Sequence, residues 1–213
     1  MIALGILASG RGTNLQAIID ACEAGRLKAR PVVVISDNPR AQALERAARC
    51  GVPTAVVERR AHRSRDEHER AIVSILRGRG VDLVCLAGYM RLVGRVLLDA
   101  FPGRIMNIHP ALLPAFPGLE AQRQALEYGV KIAGCTVHFV DEGADSGPII
   151  LQRAVPVLEG DDVDSLSARI LEEEHRAYPE AIALYAAGRL RIDGRRVHIL
   201  DPERRESPWP DER

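Results

Sequence analysis

Short apolar runs alternate with amphipathic segments along the first half of the chain. The run at residues 2–8 is followed by apolar side chains spaced three and four apart, which predict a helix over residues 15–24. The same alternation predicts further strands at 31–35, 52–57, 81–87 and 104–108, and further helices at 41–50, 66–76 and 91–101. Short apolar strands alternating with helices are typical of an α/β fold with a twisted, mostly parallel sheet and helices on both faces.

The pattern changes after residue 110, where three closely spaced prolines predict a stiff loop: Pro110, Pro114 and Pro117. A helix is expected at 120–128. Two strands, at 132–140 and 148–157, are expected to return antiparallel around a wide, functional loop at 141–147.

The longest predicted helix covers residues 164–187, with Asp161 or Asp162 as its cap and Gly188 at its end. Strands at 190–192 and 196–199 would form a terminal hairpin around Asp193-Gly194. The last dozen residues are charged and contain proline, so we expect them to be poorly ordered. The length suits one domain over residues 1–193, with an α/β half at 1–110 and a second half at 111–193, followed by a hairpin and tail at 194–213.

Composition excludes several classes of function. Of 213 residues, 29 are Lys or Arg and 29 are Asp or Glu, so the formal net charge is zero. A protein that mainly binds nucleic acid, or a polybasic membrane anchor, usually carries a basic excess. The four cysteines are widely spaced and the N-terminal apolar run is too short for a secretory signal or a membrane span, so we expect a cytoplasmic protein with free thiols.

A glycine-containing segment, Ser9-Gly10-Arg11-Gly12-Thr13-Asn14, follows the first predicted strand and opens the first helix. Main-chain N–H groups at such a helix start attract anions, which favours a phosphate at residues 12–14. Two alternatives stay open. One is a plain strand–helix turn capped by Thr13 or Asn14. The other is a Rossmann dinucleotide site with Asp37 on the ribose, although Leu15 stands where the third glycine of that motif belongs.

The fifth predicted strand carries Asn107 and His109, and residues two apart on a strand point to the same side. An amide can donate to a developing oxyanion and a protonated imidazole can deliver a proton, so the pair suits acid–base catalysis. Alternatively, His109 only caps the strand. Asp145, in the loop at 141–147, would favour the imidazolium form if it met His109, or it belongs to a solvated acidic turn.

The other histidines considered, His62, His68, His138 and His198, show no ligand spacing, so no metal site is expected. The acidic loop at 141–147 also lacks the spacing of a calcium loop.

Four motifs then occur together in order: residues 9–16, Leu86-Ala87-Gly88-Tyr89-Met90-Arg91, Asn107-Ile108-His109-Pro110 with Leu112-Leu113-Pro114 and Pro117-Gly118, and Val137-His138-Phe139-Val140 through Asp145-x-Gly147-Pro148. This set resembles the glycinamide ribonucleotide formyltransferases, within the folate-dependent formyltransferase family, over nearly all of residues 1–190. The resemblance implies that residues 1–110 form a phosphate-binding half and 111–193 a folate-binding and catalytic half of the formyltransferase fold.

The resemblance also implies the reaction. The formyl group of 10-formyltetrahydrofolate would pass to the amine of glycinamide ribonucleotide in purine biosynthesis, with folate as a co-substrate and no tightly bound cofactor. Its small-molecule partners would be these two substrates, with no nucleic acid, no membrane, and a monomer or homodimer as the assembly. The implied catalytic residues are Asn107, His109 and Asp145.

The implied binding residues fall into two groups. The ribonucleotide would contact Gly12, Thr13, Asn14 and Glu174. The folate would contact Arg65, Met90, Arg91, Leu92, Val93, Asn107, Asp141, Glu142, Gly143, Ala144 and Asp145. The sequence departs from the family pattern at Leu171, where a relative has a glutamine facing the ribonucleotide, and at Arg11, where a relative has asparagine.

Other functions remain as alternatives. A formyltetrahydrofolate hydrolase would share the fold but would not need a ribonucleotide-phosphate loop. An enzyme that formylates methionyl-tRNA normally has a further domain and a basic surface. A non-catalytic nucleotide- or folate-binding protein would leave Asn107, His109 and Asp145 without a task.

Overall fold

The computed structural model describes residues 1–201, so the expectation for the last dozen residues lies outside the described part of the chain. Strands and helices alternate as far as residue 109. The strands of this half are β1 (Ile2–Leu7), β2 (Ala29–Ser36), β3 (Thr54–Val56), β4 (Leu83–Leu86) and β5 (Ile105–His109). The helices between them are α1 (Thr13–Glu23), α2 (Gln42–Arg49), α3 (Arg65–Gly78) and α4 (Arg95–Ala100), with a 3₁₀ turn at Arg59–Ala61.

The second half has fewer helices and longer strands. Its elements are α5 (Ala121–Tyr128), β6 (Ile132–Phe139), β7 (Ile149–Pro156), α6 (Val163–Ala186), β8 (Leu190–Asp193) and β9 (Arg196–Ile199). The expected antiparallel return and the terminal hairpin are both confirmed, since β6 pairs antiparallel with β7 and β8 with β9.

The strands of residues 1–201 form one sheet in the order β3-β2-β1-β4-β5-β6-β7-β9-β8. The first five strands in this order pair in parallel, and β5, β6 and β7 pair antiparallel. The predicted α/β fold, with a mostly parallel sheet and antiparallel strands in the C-terminal half, is therefore confirmed. The hairpin adds to the sheet through β9, which pairs with β7 where Arg196 lies opposite Ile149.

Both faces of the sheet are covered. Successive residues of a strand point to opposite faces, so Leu4 and Ile6 of β1 join the cluster formed with α1, α2 and α6, whereas Leu7 joins the cluster formed with α3 and α4. Helices on both faces bury the parallel strands and leave their carboxyl ends open at one edge, where ligands of such sheets bind.

Helix α4 is shorter than the sequence predicts, because residues 91–94 are not helical. The Arg65 guanidinium donates to the Leu92 carbonyl at 2.6 Å, and the Gly94 N–H donates to Glu69 Oε1 at 2.6 Å. These contacts with α3 hold the segment in a non-helical conformation, and α4 begins only after Gly94, which has an extended backbone.

Helix α6 is the longest helix of the described chain, and its cap is Asp162, one of the two predicted candidates, which forms a capping box with Ser165. Its buried Tyr178 contacts two main-chain carbonyls with its hydroxyl group, at 3.0 Å from Leu86 O and 2.9 Å from Met106 O. This contact ties α6 to the carboxyl ends of β4 and β5, next to Asn107.

All four cysteines are unpaired, as the sequence predicts, and Cys85 and Cys135 are buried. Within residues 1–201, none of the helices combines the length and the apolar character that crossing a bilayer requires.

Candidate active site

The carboxyl end of β5 carries two polar side chains on one side of the sheet. Asn107 lies opposite His138 of β6 in the antiparallel register, and the Asn107 Nδ2 atom is 3.2 Å from His138 Nε2. His109 follows two residues later, is 4% exposed and points to the same side. The register therefore assembles an amide and two imidazoles at one strand end.

Asp145 joins these groups from the loop between β6 and β7. Its Oδ2 atom lies 3.3 Å from His109 Nδ1, and its Oδ1 atom accepts a hydrogen bond from Asn107 Nδ2 at 3.3 Å. The Gly118 N–H also donates to Oδ2 at 2.8 Å. We call Asn107, His109, His138 and Asp145 the polar cluster.

The loop that carries Asp145 closes tightly on the end of β6. A Cβ atom at Gly147 would lie 1.8 Å from the Phe139 carbonyl oxygen, so only glycine allows this approach. Asp145 itself has a left-handed backbone with φ of 52°, a region that aspartate tolerates better than most residues.

Asp145 is ionised at neutral pH. Burial alone would raise the pKa of its carboxyl group, but its interactions with His138, the Gly118 N–H and His109 outweigh burial and lower that pKa below the ordinary value. The polar cluster therefore contains a fixed negative charge beside His109.

The His109 ring faces an oxygen at each nitrogen. Its Nε2 atom lies 2.8 Å from the Phe116 carbonyl oxygen and its Nδ1 atom faces the Asp145 carboxylate. Both oxygens are acceptors, so both ring nitrogens act as donors only when the ring is a protonated imidazolium. His138 differs, because its Nδ1 lies 2.8 Å from the Phe139 carbonyl oxygen and its Nε2 lies between two groups, 3.2 Å from Asn107 Nδ2 and 3.7 Å from Asp145 Oδ1.

The segment at residues 9–14, which we call the glycine turn, lies between β1 and α1. Gly12 is the N-cap of α1, with φ of 72°, and no side chain of the described residues caps the helix start. The structure therefore does not support Thr13 or Asn14 as the cap. The uncapped first turn instead presents main-chain N–H groups, which suit an anion.

Asn14, in the first turn of α1, reaches Glu174 of α6 across the site. Asn14 Nδ2 donates to Glu174 Oε2 at 2.7 Å, and both side chains are buried. Burial raises the pKa of the Glu174 carboxyl group to about 7, although the hydrogen bond from Asn14 opposes this. The Asn14 Oδ1 atom is buried and has no hydrogen-bond partner within residues 1–201.

A cavity of about 530 Å³ lies beside the glycine turn. Its wall also includes Ile108 and Pro110, the two neighbours of His109 in the chain, but none of the four side chains of the polar cluster. Its lining residues are Gly10, Arg11, Gly12, Thr13, Asn14, Ala87, Gly88, Met90, Ile108, Pro110, Gln122, Asp164, Ser167, Ala168, Leu171 and Glu174. The four residues expected to bind a ribonucleotide thus lie around one cavity, and Leu171 and Arg11 line it too.

The residues expected to bind folate lie on two neighbouring loops. The segment Met90–Val93 follows β4, with Met90 N–H donating to Ser9 Oγ at 3.0 Å and Arg65 holding Leu92. Met90 and Leu92 are exposed, whereas Val93 is buried. Arg91 pairs with Asp37 at 2.5 Å.

The acidic loop holds the other expected folate residues. Asp141 accepts from Ser146 Oγ and from Gly143 N–H, at 2.5 and 3.1 Å, and Glu142 pairs with Arg95 at the start of α4. Ala144 is exposed beside Asp145. Because Val140 packs in the same hydrophobic cluster as Val93, the two loops belong to one region of the sheet edge.

Sequence reasoning gave no role to several side chains that the fold brings to the site. His138 was considered only as a metal ligand and lacks the spacing for that role. Its position in a strand predicted to run antiparallel is the signal that could have placed it beside Asn107. Gln122 and Ser167 line the cavity without having been expected there. Ser167, Leu171 and Glu174 recur at helical spacing, a signal for one shared face of α6.

Within residues 1–201, no group of three His, Cys, Asp or Glu side chains is placed to hold a metal ion.

Comparisons with known proteins place this chain in a family. A family model described as formyl transferase matches residues 3–182. The phosphoribosylglycinamide formyltransferase of Bacillus subtilis (strain 168) is 43% identical over 182 residues, which cover 85% of this chain and 93% of that protein.

A trifunctional purine biosynthetic protein adenosine-3 of Drosophila melanogaster is 47% identical over 187 residues, but this chain spans only 14% of its length. The crystal structure of glycinamide ribonucleotide transformylase 1 from Symbiobacterium toebii superimposes with a TM-score of 0.94 at 65% identity, covering 94% of this chain and 95% of that one. The chain belongs to the formyl transferase family.

Proposed function

We propose that the protein transfers the formyl group of 10-formyltetrahydrofolate to the amine of glycinamide ribonucleotide, giving N-formylglycinamide ribonucleotide and tetrahydrofolate in purine biosynthesis. The observation that carries this proposal is an uncapped helix start and an acid–base cluster at the same edge of the sheet, with a cavity beside the helix start that reaches Ile108 and Pro110 on either side of His109. A phosphate and an amine on the same substrate fit these two features. The printed names of the similar enzymes support the same substrates.

The substrate amine is the nucleophile in this reaction, so the protein needs no covalent intermediate. Attack of the amine nitrogen on the formyl carbon forms a C–N bond and leaves an oxyanion on the formyl oxygen. Collapse of this intermediate breaks the bond from the formyl carbon to N10 of the folate. The proton lost by the amine balances the proton gained by N10.

Asn107 and the His109 imidazolium are the donors for the oxyanion. In the structure these donors contact internal acceptors, with His109 Nε2 on the Phe116 carbonyl and Asn107 Nδ2 on His138 and Asp145. The reaction requires each of them to exchange an internal acceptor for the formyl oxygen. The Asn107 contacts of 3.2 and 3.3 Å are long, so this exchange costs little.

Asp145 keeps His109 protonated through its contact with Nδ1, and His109 then assists proton transfer to the departing folate nitrogen. Holding both substrates in line supplies much of the remaining acceleration, because effective molarities of ~10⁵ M or more are reached in well-oriented reactions.

Substrate binding follows from the same arrangement. Gly12 and Thr13 would hold the phosphate through main-chain N–H groups, and Asn14 with Glu174 would contact the ribonucleotide between phosphate and amine. The segment Met90–Val93 and the loop at 141–145 would take the pterin.

Arg65 would lie near the benzoyl-glutamate end of the folate, where a guanidinium can pair with a carboxylate. The folate is a co-substrate in this scheme, and we infer a cytoplasmic enzyme whose partners are small molecules.

The experiment mixes purified protein with 10-formyltetrahydrofolate, with and without glycinamide ribonucleotide, and follows deformylation by absorbance and N-formylglycinamide ribonucleotide by mass spectrometry. We expect deformylation only with the ribonucleotide, in equal amount to the formylated product. Equal rates without the ribonucleotide would indicate a hydrolase, and no turnover in either mixture would indicate a binding protein.

A further inference from the structure

Glu69, on α3, is a buried carboxylate that belongs neither to the polar cluster nor to the cavity beside the glycine turn. Its side chain is buried, with the residue 4% exposed, and it accepts three hydrogen bonds. The Oε1 atom accepts from the Gly94 N–H at 2.6 Å and from Arg65 Nε at 3.1 Å, and the Oε2 atom accepts from the Leu97 N–H at 3.2 Å. Burial of a carboxylate is costly unless its oxygens are satisfied, so these contacts are mutually required.

Two of these contacts supply the cap that the sequence of α4 lacks. Gly94 is the N-cap of α4 and has no side chain, and Leu97 is the third residue of the helix. In most helices the side chain of the N-cap residue accepts from an N–H of the first turn. Here Glu69 takes that role from another helix. A serine or aspartate at residue 94 could cap α4 locally, but it could not also bind Arg65.

Arg65 extends the hold of Glu69 to the segment before α4. Its Nε atom donates to Glu69, and its Nη2 atom donates to the Leu92 carbonyl at 2.6 Å. Glu69 therefore fixes this segment at two points, directly at Gly94 and through Arg65 at Leu92. The Arg65 side chain is still 46% exposed, so the rest of its guanidinium can meet a carboxylate from solvent.

The close approach of the main chain to this ion pair depends on Gly94. A Cβ atom at residue 94 would lie 2.7 Å from Glu69 Oε1 and 2.8 Å from Arg65 Nε. The backbone of Gly94 has φ of −103°, which other residues adopt without strain. Glycine is therefore needed here for space and not for its backbone freedom, and a larger residue would displace the Glu69–Arg65 pair.

We propose that Glu69 is a positioning residue for the folate co-substrate, an assignment that rests on the proposed function. It sets the main chain of Met90–Val93, which would face the pterin, and the guanidinium of Arg65, which would face the carboxylate at the other end of the folate. Glu69 itself does not touch either substrate. Glu69, Arg65 and Leu92 do not line the cavity beside the glycine turn, so ribonucleotide binding does not depend on Glu69.

The first test compares Glu69→Gln with the wild type. Glutamine keeps the shape of the side chain, but its amide group faces one of the three donors with an NH₂ group that cannot accept. KM for 10-formyltetrahydrofolate should rise about 10- to 100-fold, the range for one hydrogen bond to a charged group, while KM for the ribonucleotide stays within about twofold. The Kd of tetrahydrofolate, measured by calorimetry, should rise by the same factor and reports folate binding without turnover.

The second test is Gly94→Ala, which displaces the Glu69–Arg65 pair without removing either side chain. It should raise the same two folate constants about fivefold or more and leave KM for the ribonucleotide unchanged.

Two substitutions on α3 serve as matched controls. Glu67→Gln makes the same chemical change on an exposed face, and Gly78→Ala adds a Cβ atom where space is open. Neither should change any of these constants. The proposal is overturned if either test variant leaves the folate constants unchanged, or if it raises KM equally for both substrates, which would indicate only a general structural role. A wild type that binds tetrahydrofolate but has no ribonucleotide-dependent turnover would instead refute the proposed function, and calorimetry on the variants would still decide the role of Glu69.

Discussion

The glycine turn and the polar cluster lie at the same edge of the sheet, after β1 and at the end of β5, but present different kinds of groups. The turn presents main-chain N–H groups at the uncapped start of α1, where Gly12 has a left-handed conformation. The polar cluster presents side chains from β5, β6 and the loop after β6, up to 38 residues apart in sequence. A site made of main-chain groups depends on local shape, whereas a site made of side chains depends on sheet register and on charge.

This difference predicts which substitutions affect which kinetic constant. Changes in the polar cluster should lower kcat, because its groups act on the reacting atoms. Changes at the glycine turn should raise KM for the ribonucleotide, because its groups hold a phosphate that does not react.

The largest effect is expected for Asp145→Asn. Asparagine tolerates the left-handed backbone and still accepts from Gly118, but it removes the negative charge from His109 Nδ1. We expect kcat to fall by about 10³-fold, within the range of lost acid–base catalysis, with little change in either KM. Steady-state kinetics measures this, with Asp99→Asn on the exposed side of α4 as the control. A loss of less than about tenfold would show that the charge does not maintain the imidazolium.

Asn107→Ala should have the next largest effect. The substitution removes one donor for the formyl oxyanion, and the loss of such a donor costs roughly 3 kcal/mol, or about 10²-fold in kcat. His109 keeps its contacts with Asp145 and Phe116, so thermal unfolding should stay close to that of the wild type. Near-normal turnover in this variant would remove Asn107 from the mechanism and leave His109 as the only donor of the pair.

The glycine turn and the polar cluster also differed in how far the sequence could predict them. The glycine turn is contiguous, so its position after β1 and before α1 follows from local pattern alone. Asn107 and His109 were predicted to share a side because alternation on a strand is local as well. Their meeting with Asp145 stayed conditional, because it depends on the antiparallel register of β5 with β6 and on the close approach at Gly147.

Side chains outside these motifs were the hardest to predict. Gln122 carries no local signal, because only the packing of α5 beside α6 brings it to the cavity wall. The start of α4 was misplaced for a similar reason, since contacts of Arg65 and Glu69 with residues 92–94 override the helical pattern there. Tertiary contacts determine both the position of Gln122 and the start of α4, and the hydrophobic periodicity of a single segment carries no information about such contacts.

Glu174 lines the cavity and accepts a hydrogen bond from Asn14 of the glycine turn. Its folded pKa of about 7 exceeds the ordinary 4.5, so the folded protein binds a proton that the unfolded chain has released between these values. The stability that this group contributes is therefore fully present below pH 4.5 and is lost as the pH rises through 7, by about 3 kcal/mol at most. Urea unfolding of the wild type should show this loss of unfolding free energy between pH 5 and pH 8, and unfolding of Glu174→Gln should not. If the free energy of unfolding depends on pH equally in the wild type and in Glu174→Gln, the Glu174 carboxyl group is ionised in the folded state.

The smallest effect is expected for Gly12→Ala, which tests whether the glycine turn acts through local shape. A Cβ at residue 12 would lie 2.7 Å from the Ala43 Cα, and the φ of 72° is unfavourable for alanine. The turn must shift away from α2, so we expect about a tenfold rise in KM for the ribonucleotide, with kcat and the folate KM unchanged.

Gly25→Ala is the matched control, because it has φ of 69° but open space at its Cβ, so it introduces the same backbone strain without the clash. If both variants raised the ribonucleotide KM equally, backbone strain alone would explain the effect and the contact with Ala43 would not shape the turn. If Gly12→Ala lowered kcat as strongly as Asn107→Ala, the roles of the glycine turn and the polar cluster would not be separable, and the phosphate contacts would act on the transition state as well.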